Sequence, residues 1–463
     1  MIRTPSSDPT APTGSGAAPD SEKTGASAAS PAGPPSAHRG SWRVAAPPPA
    51  SFQLDADEIR GDGPSPKGPR QAGAAPTGIG AAPKGGVVSR RPELVEGLSK
   101  GSQRLPGHVA PGWLPSRLLF NRGIRTAAQA REFLSPSLDR LEDAFSLPDM
   151  EKAARTLVQA CRDGQAVGIC GDFDVDGLSG TAIVVETVRA LGGRPVPYIP
   201  HREQDGHGVS MAAVRALCEA GVKLMVTVDT GTTDIAEIAA ARAGGMATIV
   251  TDHHLPGPES AGGLPDAVAI VNPHRLLPTG PESAHRGEPQ PPLSGAGVAF
   301  KLAQAACSLA QVPAPEDAMA LAALGTIADS APLRGDNRII VRFGLEALGK
   351  TRHAGLRALL HHSRAQGADG KPDTGLVSFQ LAPRLNSAGR LGDAGPSLRL
   401  LTTSDTGEAE ALASRLDALN TERQRLSEVA WKEASRQLQG VDASALAGVI
   451  VVRCDSVPPG LLG

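Results

Sequence analysis

The amino-acid sequence predicts an α/β fold in which a doubly wound parallel sheet is flanked by helices and followed by a long connecting helix. Short apolar, β-branched runs alternate with helical segments of about ten residues. This alternation is typical of a parallel sheet that is covered by helices on both faces. Ligands of such sheets bind beyond the carboxyl ends of the strands. We therefore look for functional side chains immediately after the apolar runs.

Composition separates the beginning of the chain from the rest. Most of the excess of Gly and Pro lies before residue 107, in runs such as SPAGPPSAHRG. Such a segment has too little apolar surface to offset the entropy lost on ordering, so we predict that residues 1–107 are disordered. From residue 108 onward the sequence predicts a folded protein.

Charge and cysteine usage restrict the class of protein. The net charge is −2, which argues against coating nucleic acid by charge alone but allows a local basic groove. The five cysteines are dispersed and never in CxxC spacing, which fits free thiols in a reducing compartment. No stretch is long and apolar enough to span a membrane. We expect a cytoplasmic protein with no membrane association.

The predicted elements follow one another in a regular order. Strands are expected at 166–170, 195–199, 224–228, 247–250 and 267–271. Helices are expected at 150–162, 181–191, 211–220, 233–243, 297–309, 315–327, 338–348 and 355–361. The Pro- and Gly-rich stretch 276–293 is predicted to be a surface loop within the first folded domain.

The domain organisation is predicted from these elements. The predicted units are a catalytic domain at 108–335, a helical part at 336–404 that contains RLNSAGR, a connecting helix at 405–440 and a strand within 441–463. A single strand cannot bury itself. We therefore interpret the last unit as the start of a second domain that is cut short.

Four acidic motifs supply the candidate chemistry. They are GDFDVDG at 171–177, TVDTG at 227–231, TDHH at 251–254 and IAD at 327–329. The first three follow predicted strands, and the fourth ends an apolar helical run. Carboxylates suit hard divalent cations such as Mg²⁺, and an imidazole in the set favours Mn²⁺. The pattern indicates a metal-dependent phosphoesterase.

Each motif also has a structural interpretation. The first motif predicts alternating carboxylates on extended backbone, or else an Asp-rich turn or a calcium loop. An EF-hand requires Glu at the twelfth position, where this chain has Ile183, so that alternative fails. Asp229 is either a helix N-cap or a metal ligand. Asp329 is either a helix-terminal irregularity or the last ligand. Cys170 is interpreted as a buried strand cysteine.

In this order the motifs resemble the DHH phosphoesterase superfamily. The segments YIPHREQDGHG, LSGAGVAFKL, GTIADSAPLRGDNR and LAPRLNSAGRLGDA narrow the resemblance to the RecJ family of bacterial single-strand-specific 5′→3′ exonucleases. The resemblance covers residues 114–463. It implies a DHH-type sheet followed by a second domain called DHHA1, of which this chain contains the first strand.

The resemblance also implies a role for individual residues. The expected ligands of two Mn²⁺ or Mg²⁺ ions are Asp174, Asp176, Asp229, His253 and Asp329, with Asp229 bridging. Asp172 is implied as a supporting catalytic carboxylate, and His254 as the contact to the scissile phosphate. Residues expected near the DNA are Arg202, His207, Arg384, Asn386 and Arg390. Guanidinium groups suit phosphate oxygens, which agrees with this assignment.

Three positions depart from the family pattern. His207 stands where Tyr is common, Thr230 replaces Asn or Cys, and Cys170 occupies a slot that holds a ligating His in related phosphoesterases. A histidine can partly substitute for tyrosine in stacking on a base.

The expected function is release of 5′-mononucleotides from the 5′ end of single-stranded DNA, in repair and recombination. A helicase and a single-strand-binding protein are the expected partners. We also expect weak processive activity from a shortened chain. Two alternatives remain open at this point: a DHH enzyme that acts on short oligonucleotides or cyclic dinucleotides, and an inactive truncated product.

Overall fold

The computed structural model describes residues 113–257, 263–276, 291–363, 371–439, 450–454 and 457–461. The predicted disorder of residues 1–107 and most of the predicted loop at 276–293 lie outside these ranges. Among the described residues, no helix combines the length and apolarity needed to cross a bilayer.

Five parallel strands form one sheet. They are β1 (Ala166–Gly171), β2 (Arg194–Tyr198), β3 (Leu224–Val228), β4 (Ala247–Thr251) and β5 (Ala269–Val271). Their spatial order is β2-β1-β3-β4-β5, so the chain leaves β1 on one side and returns to its other side. The reversal between β1 and β3 is the point at which open α/β sheets bind ligands. The predicted parallel sheet is confirmed.

Thirteen helices of eight or more residues surround and extend this sheet within the described ranges. They are α1 (Trp113–Asn121), α2 (Ala127–Leu134), α3 (Met150–Arg162), α4 (Val175–Ala190), α5 (Met211–Glu219), α6 (Ile235–Ala243), α7 (Gly295–Ala310), α8 (Ala318–Ala328), α9 (Gly335–Leu348), α10 (Ala354–Ser363), α11 (Ala382–Leu391), α12 (Gly395–Thr402) and α13 (Thr406–Gln437). A π-helical turn, Val377–Leu381, leads into α11.

The two faces of the sheet bury different cores. On one face, the largest apolar cluster joins the sheet to α3, α4, α7 and α8. On the other face, a smaller cluster that includes Cys170, Met225 and Leu217 lies beneath α5 and α6. Cys170 is therefore a buried strand residue, and burial raises the pKa of its thiol to about 12.

Helix α4 begins earlier than the sequence predicts. The expected helix starts at residue 181, whereas α4 starts at Val175 and contains Gly177 and Gly180 in its first turns. Both glycines are needed for close packing. A Cβ on Gly177 would lie 2.6 Å from the carbonyl oxygen of Asp172, and one on Gly180 would lie 2.6 Å from Val228. Glycine has a low helix propensity, so a prediction from the sequence places the start of this helix too late.

The predicted strand at the end of the chain is not seen in the part that is described. Residues 450–454 have no regular secondary structure, and residues 440–449 lie outside the described ranges. The connecting helix expected at 405–440 corresponds to α13. The division into domains stays a prediction.

A buried ion pair fixes the helices that stand behind the sheet. The Lys301 ammonium on α7 lies 2.7 Å from Asp336 Oδ2 on α9, and both side chains are largely buried. The Lys301 ammonium also donates to the carbonyl oxygen of Glu142, whose backbone N–H donates to Asp336 Oδ1 at 3.1 Å. The pair therefore ties three separate segments together.

We predict that Asp336→Ala lowers the free energy of unfolding by about 3–5 kcal/mol, because it leaves the Lys301 charge buried without its partner. The double variant Lys301→Met/Asp336→Leu should lose less, since no charge remains uncompensated. Urea unfolding measures both. Lys350→Met, which breaks a surface pair with Glu346, is the control and should leave the midpoint unchanged. Equal losses in the single and double variants would contradict this account.

Candidate metal centre

The turn from β1 into α4 presents three carboxylates. Asp172 follows β1 directly, Asp174 caps α4, and Asp176 lies in the first turn of that helix. Asp174 Oδ1 accepts hydrogen bonds from the backbone N–H groups of Asp176 (2.9 Å) and Gly177 (3.1 Å). The predicted extended backbone is wrong at Asp176, because the helix has already begun at Val175. The turn nevertheless keeps these carboxylates near one another.

Asp176 is held by the amino end of a second helix. Its two carboxylate oxygens accept from the backbone N–H groups of Gly295 (2.7 Å) and Ala296 (2.9 Å) at the start of α7. Unsatisfied N–H groups at a helix N-terminus favour an anion. Gly295 is required at this position, since a Cβ there would lie 2.5 Å from Asp229 Oδ1.

Asp229 lies at the end of β3 and is not a helix cap. Its backbone has φ 62°, and its N–H donates to the carbonyl oxygen of Thr251 at 2.9 Å. Helix α6 begins at Ile235 after Asp234, which excludes the capping interpretation. The buried Asp229 side chain has Oδ1 at 2.9 Å from His253 Nε2, and the same nitrogen is 3.8 Å from Asp176 Oδ2.

The structure brings together all seven side chains that the sequence nominated for metal binding and catalysis. Three overlapping groups have ligand atoms that lie within 4.8 Å of one another. The groups are Asp172, Asp174 and Asp229; Asp176, His253 and Asp329; and Asp229, His253 and His254. Asp329 reaches the cluster from the carboxyl end of α8. Asp229 and His253 each belong to two of the groups.

Burial and mutual repulsion raise the pKa values of the carboxyl groups. Burial, followed by the charge of Asp174, raises the pKa of Asp176 to about 7 and that of Asp329 to about 6. Burial and the neighbouring Asp176 hold the pKa of Asp229 well above its usual range. Buried carboxyl groups this close to one another either hold protons or need compensating positive charge to be ionised.

The two adjacent histidines have opposite electrostatics. Burial and the charge of His254 lower the pKa of His253 to about 4, so its imidazole is neutral, as a metal ligand must be. A hydrogen bond from His254 Nδ1 to Asp252 Oδ1 (2.8 Å) raises the pKa of His254 to about 9. At neutral pH, His254 is therefore protonated on both ring nitrogens and positively charged.

Asp252 is a site residue that sequence reasoning did not select. Its Oδ1 accepts from the backbone N–H groups of His253 (2.7 Å) and His254 (3.2 Å), and its Oδ2 accepts from that of Thr232 (2.9 Å). Asp252 thus orients both histidines. The available signal was its position directly after a strand, which it shares with Asp172 and Asp229.

The donor set fits hard divalent cations. Asp172 Oδ1 and Asp229 Oδ1 are buried and accept no hydrogen bond. An unsatisfied buried carboxylate oxygen is costly unless a cation is bound to it. Five carboxylates with one neutral imidazole match the preferences of Mn²⁺ and Mg²⁺.

A loop between β2 and α5 covers one side of the cluster. The His207 ring lies over Phe173 with centroids 4.5 Å apart, and its Nδ1 is 3.5 Å from Asp172 Oδ2. The Arg202 guanidinium lies 5.0 Å from the same phenyl ring. Both predicted nucleic-acid contacts of this loop therefore lie beside the carboxylates.

Asp234 fixes this loop, and sequence reasoning missed it. It accepts from the backbone N–H of Val209 (2.8 Å) and from the hydroxyl of Thr230 (3.0 Å). Thr230 is the residue that departs from the family pattern, and here it pairs with Asp234 instead of pointing into the cluster. A Cβ on Gly208 would collide with the Asp234 carboxylate, and Gly208 has φ 91°.

The three predicted contacts on α11 differ in their surroundings. Arg384 is engaged with α13, where its Nε and Nη2 lie 2.9 and 2.8 Å from Asp417 Oδ1. Asn386 Oδ1 accepts from the backbone N–H of Val175 at 3.1 Å and supports the turn that carries Asp174. Arg390 Nη1 donates to the carbonyl oxygen of Gly460 at 3.1 Å.

Two arginines, Arg390 and Arg423, line a cleft beside the cluster. Burial and then the nearby charges of Arg202 and Arg423 lower the pKa of Arg390. A cavity of about 340 Å³ adjoins this place, and we call it the arginine cleft. Its polar lining is Ser330, Ser378, Asn386, Arg390, Arg423 and Ser427. Converging guanidinium groups repel one another and favour a bound anion.

Comparison with known proteins agrees with this geometry. Residues 166–326 match the DHH family, N-terminal domain. A crystal structure of exonuclease RecJ bound to manganese is 40% identical, with 63% of this chain and 70% of that chain covered and a TM-score of 0.55. The chain belongs to the RecJ family. A structure of RecJ from Thermus thermophilus in complex with Mn²⁺ is 36% identical, with 75% of this chain and 47% of that chain covered and a TM-score of 0.61.

The single-stranded-DNA-specific exonuclease RecJ of Bacillus subtilis is 39% identical over 358 residues, which is 77% of this chain and 42% of that protein. The chain thus spans about half the length of the curated RecJ proteins it matches.

We predict that Mn²⁺ stabilises the protein more at about pH 8 than at about pH 5. Without metal, the folded state favours the neutral carboxyl groups because their pKa values are raised. The free energy of unfolding of the metal-free protein therefore falls as pH rises from about 4 to about 7. Metal needs the ionised forms, so its effect grows across the same interval. Thermal melting with Mn²⁺ and with chelator measures the difference.

Two variants test whether this pH dependence belongs to the cluster. Asp176→Asn should abolish most of the Mn²⁺-dependent shift in melting temperature. Asp163→Asn makes the same chemical change at the exposed end of α3 and should leave the shift intact. A shift that is the same at both pH values would argue against metal binding by these carboxyl groups.

Proposed function

We propose that this protein hydrolyses phosphodiester bonds of single-stranded DNA from the 5′ end, with two Mn²⁺ or Mg²⁺ ions. The observation that carries the proposal is the convergence of Asp172, Asp174, Asp176, Asp229, His253, His254 and Asp329 at the carboxyl edge of the sheet. RecJ relatives are named as single-stranded-DNA-specific exonucleases, which supports the same substrate.

The residues divide into two candidate ligand sets. Asp174 and Asp229 would hold one ion, and Asp176, Asp229, His253 and Asp329 would hold the other. Asp229 suits the bridging role because its carboxylate lies close both to Asp174 and to His253. Its backbone N–H donates to the carbonyl oxygen of Thr251, which holds it in place. Two bound cations supply water activation and neutralise charge that develops on the phosphate. The N-terminus of α7 keeps Asp176 in place without a metal.

His254 is suited to contact the scissile phosphate. Asp252 orients its ring and keeps it protonated, and 60% of its side chain is exposed. A cationic donor that is already oriented stabilises negative charge on a phosphoryl oxygen with little rearrangement. Asp252 is thus a positioning residue for His254.

Basic and aromatic groups beside the cluster are suited to a single strand. Arg202, Arg390 and Arg423 offer guanidinium groups to backbone phosphates, and the exposed His207 ring offers a stacking surface. Phe379, in the π-helical turn next to Ser378 of the arginine cleft, is 78% exposed.

Arg384 is already paired with Asp417, so we assign it a supporting role in α11. Helicase and single-strand-binding partners belong to this proposal as well.

The central test uses DNA labelled at the 5′ or the 3′ end with Mn²⁺ present. We expect 5′-labelled mononucleotide to appear first, and His254→Ala to lower kcat by about 10²–10³-fold. Asp163→Asn should retain wild-type activity.

Comparing a dinucleotide with a long strand separates the two candidate substrate classes. Cleavage of the dinucleotide alone would favour the small-substrate alternative and overturn the exonuclease assignment.

The arginine cleft gives a separate prediction about binding. Arg423→Gln should weaken binding of single-stranded DNA and reduce the dependence of log K on log salt by about 0.7, the value for one phosphate contact. Arg425→Gln is the matched control on the same helix, because Arg425 pairs with Glu422 at 2.7 Å. Fluorescence anisotropy in Ca²⁺ over a range of salt concentrations measures both. Equal effects of the two variants would remove Arg423 from the interface.

A further inference from the structure

A second cluster of metal-ligating side chains lies on the helices, away from the sheet. His361 and His362 occupy the last turn of α10, and Glu410 lies near the start of α13. One ligand atom from each lies within 4.8 Å of the other two. None of the three belongs to the candidate metal centre, and the proposed hydrolysis uses none of them.

The contacts converge on one carboxylate oxygen. His362 Nε2 lies 2.8 Å and His361 Nδ1 lies 3.5 Å from Glu410 Oε1. A simple ion pair would need only one imidazole. Two imidazoles that face one carboxylate oxygen resemble the His₂Glu arrangement of zinc enzymes, in which three protein ligands leave a fourth position for water.

The local electrostatics also favour a cation. Both histidines lie at the carboxyl end of α10, where unpaired carbonyl groups carry partial negative charge. His362 is partly buried, with 21% of its side chain exposed. His361 and Glu410 are exposed at 79% and 51%, which gives an ion access from solvent.

We propose that His361, His362 and Glu410 form a second metal site, for a borderline transition-metal ion of the Zn²⁺ class, which ties α10 to α13. Imidazole ligands distinguish this site from the carboxylate-rich centre, which suits harder ions. Ligation requires neutral imidazoles, so binding releases any protons that the pair holds. The ion replaces the direct contact between His362 and Glu410 with three metal–ligand bonds.

The position gives the site a structural consequence. Helices α10 and α13 pack against each other, and α13 also carries Asp417, which pairs with Arg384 of α11. An ion at Glu410 would fix the first turns of α13 against α10. We therefore expect Zn²⁺ to stabilise the helical part of the protein independently of the sheet-edge cluster.

The experiment counts the Zn²⁺ ions bound by the metal-stripped 463-residue chain, by equilibrium dialysis and calorimetry. Wild type should bind one more equivalent than the double variant His361→Asn/His362→Asn and than Glu410→Gln. Glu428→Gln is the matched control on α13, because Glu428 pairs with Lys432 at 2.7 Å, and it should bind as wild type does. Sites at the candidate metal centre are present in all four proteins and cancel in the comparison.

Cobalt provides an independent readout of the ligands. Co²⁺ in a four-coordinate imidazole–carboxylate site absorbs strongly in the visible range, and this band should be lost in the double variant and in Glu410→Gln. The Zn²⁺-dependent rise in melting temperature should shrink in the same two proteins. Glu410→Gln changes a half-exposed side chain, so it remains informative if the double variant fails to fold.

Two results would overturn the proposal. One is an unchanged number of bound ions in Glu410→Gln and in the double variant, which would leave the cluster as an ion pair only. The other is Zn²⁺-induced dimerisation that depends on the same residues, since the ion would then join two copies instead of two helices. No readout involves DNA cleavage, so failure here leaves the proposed exonuclease activity unaffected.

Discussion

The burial of several carboxylates at one edge of the sheet is the constraint on which the rest of the structure depends. Asp172, Asp176 and Asp229 are all nearly inaccessible. Burial raises their pKa values, followed by the charge of Asp174 for Asp172 and Asp176 and by that of Asp176 for Asp229. A fold tolerates this arrangement if the carboxyl groups are protonated or if positive charge is supplied. The N-terminus of α7 supplies part of it to Asp176, and divalent cations are suited to supply the remainder.

This requirement explains much of the local backbone. Glycine occupies positions 177 and 295 because any side chain there would collide with Asp172 or Asp229. Asp229 itself adopts a left-handed conformation that is rare outside glycine. The loop that carries His207 is tied by Asp234 to the segment that follows Asp229. Close packing of backbone around the carboxylates thus accounts for motifs that look like turns in the sequence.

The helical part of the protein also contacts the edge of the sheet that carries the carboxylates. Asn386 on α11 accepts a hydrogen bond from the first residue of α4, so it fixes the turn that presents Asp174 and Asp176. Arg384 joins α11 to α13, and α13 brings Arg423 to the cleft beside Arg390. A basic cleft is therefore assembled from elements that lie far apart in the sequence.

The sequence by itself determined the parallel sheet and the order of its helices, because hydrophobic periodicity is a local property. The sequence also indicated the first three acidic motifs by their position after a strand, whereas it reached the role of Asp329, which ends a helical run, through the family resemblance. It misplaced the start of α4, since Gly177 and Gly180 lower helix propensity while tertiary packing demands them. Only the tertiary structure decided that Asp229 is not a cap and that Arg384 is paired with Asp417. It also decided that Asp252 holds the two histidines, that Asp234 holds the loop of His207 and that Arg423 lines the arginine cleft. These facts depend on contacts between distant segments, and no local pattern encodes which buried groups will meet.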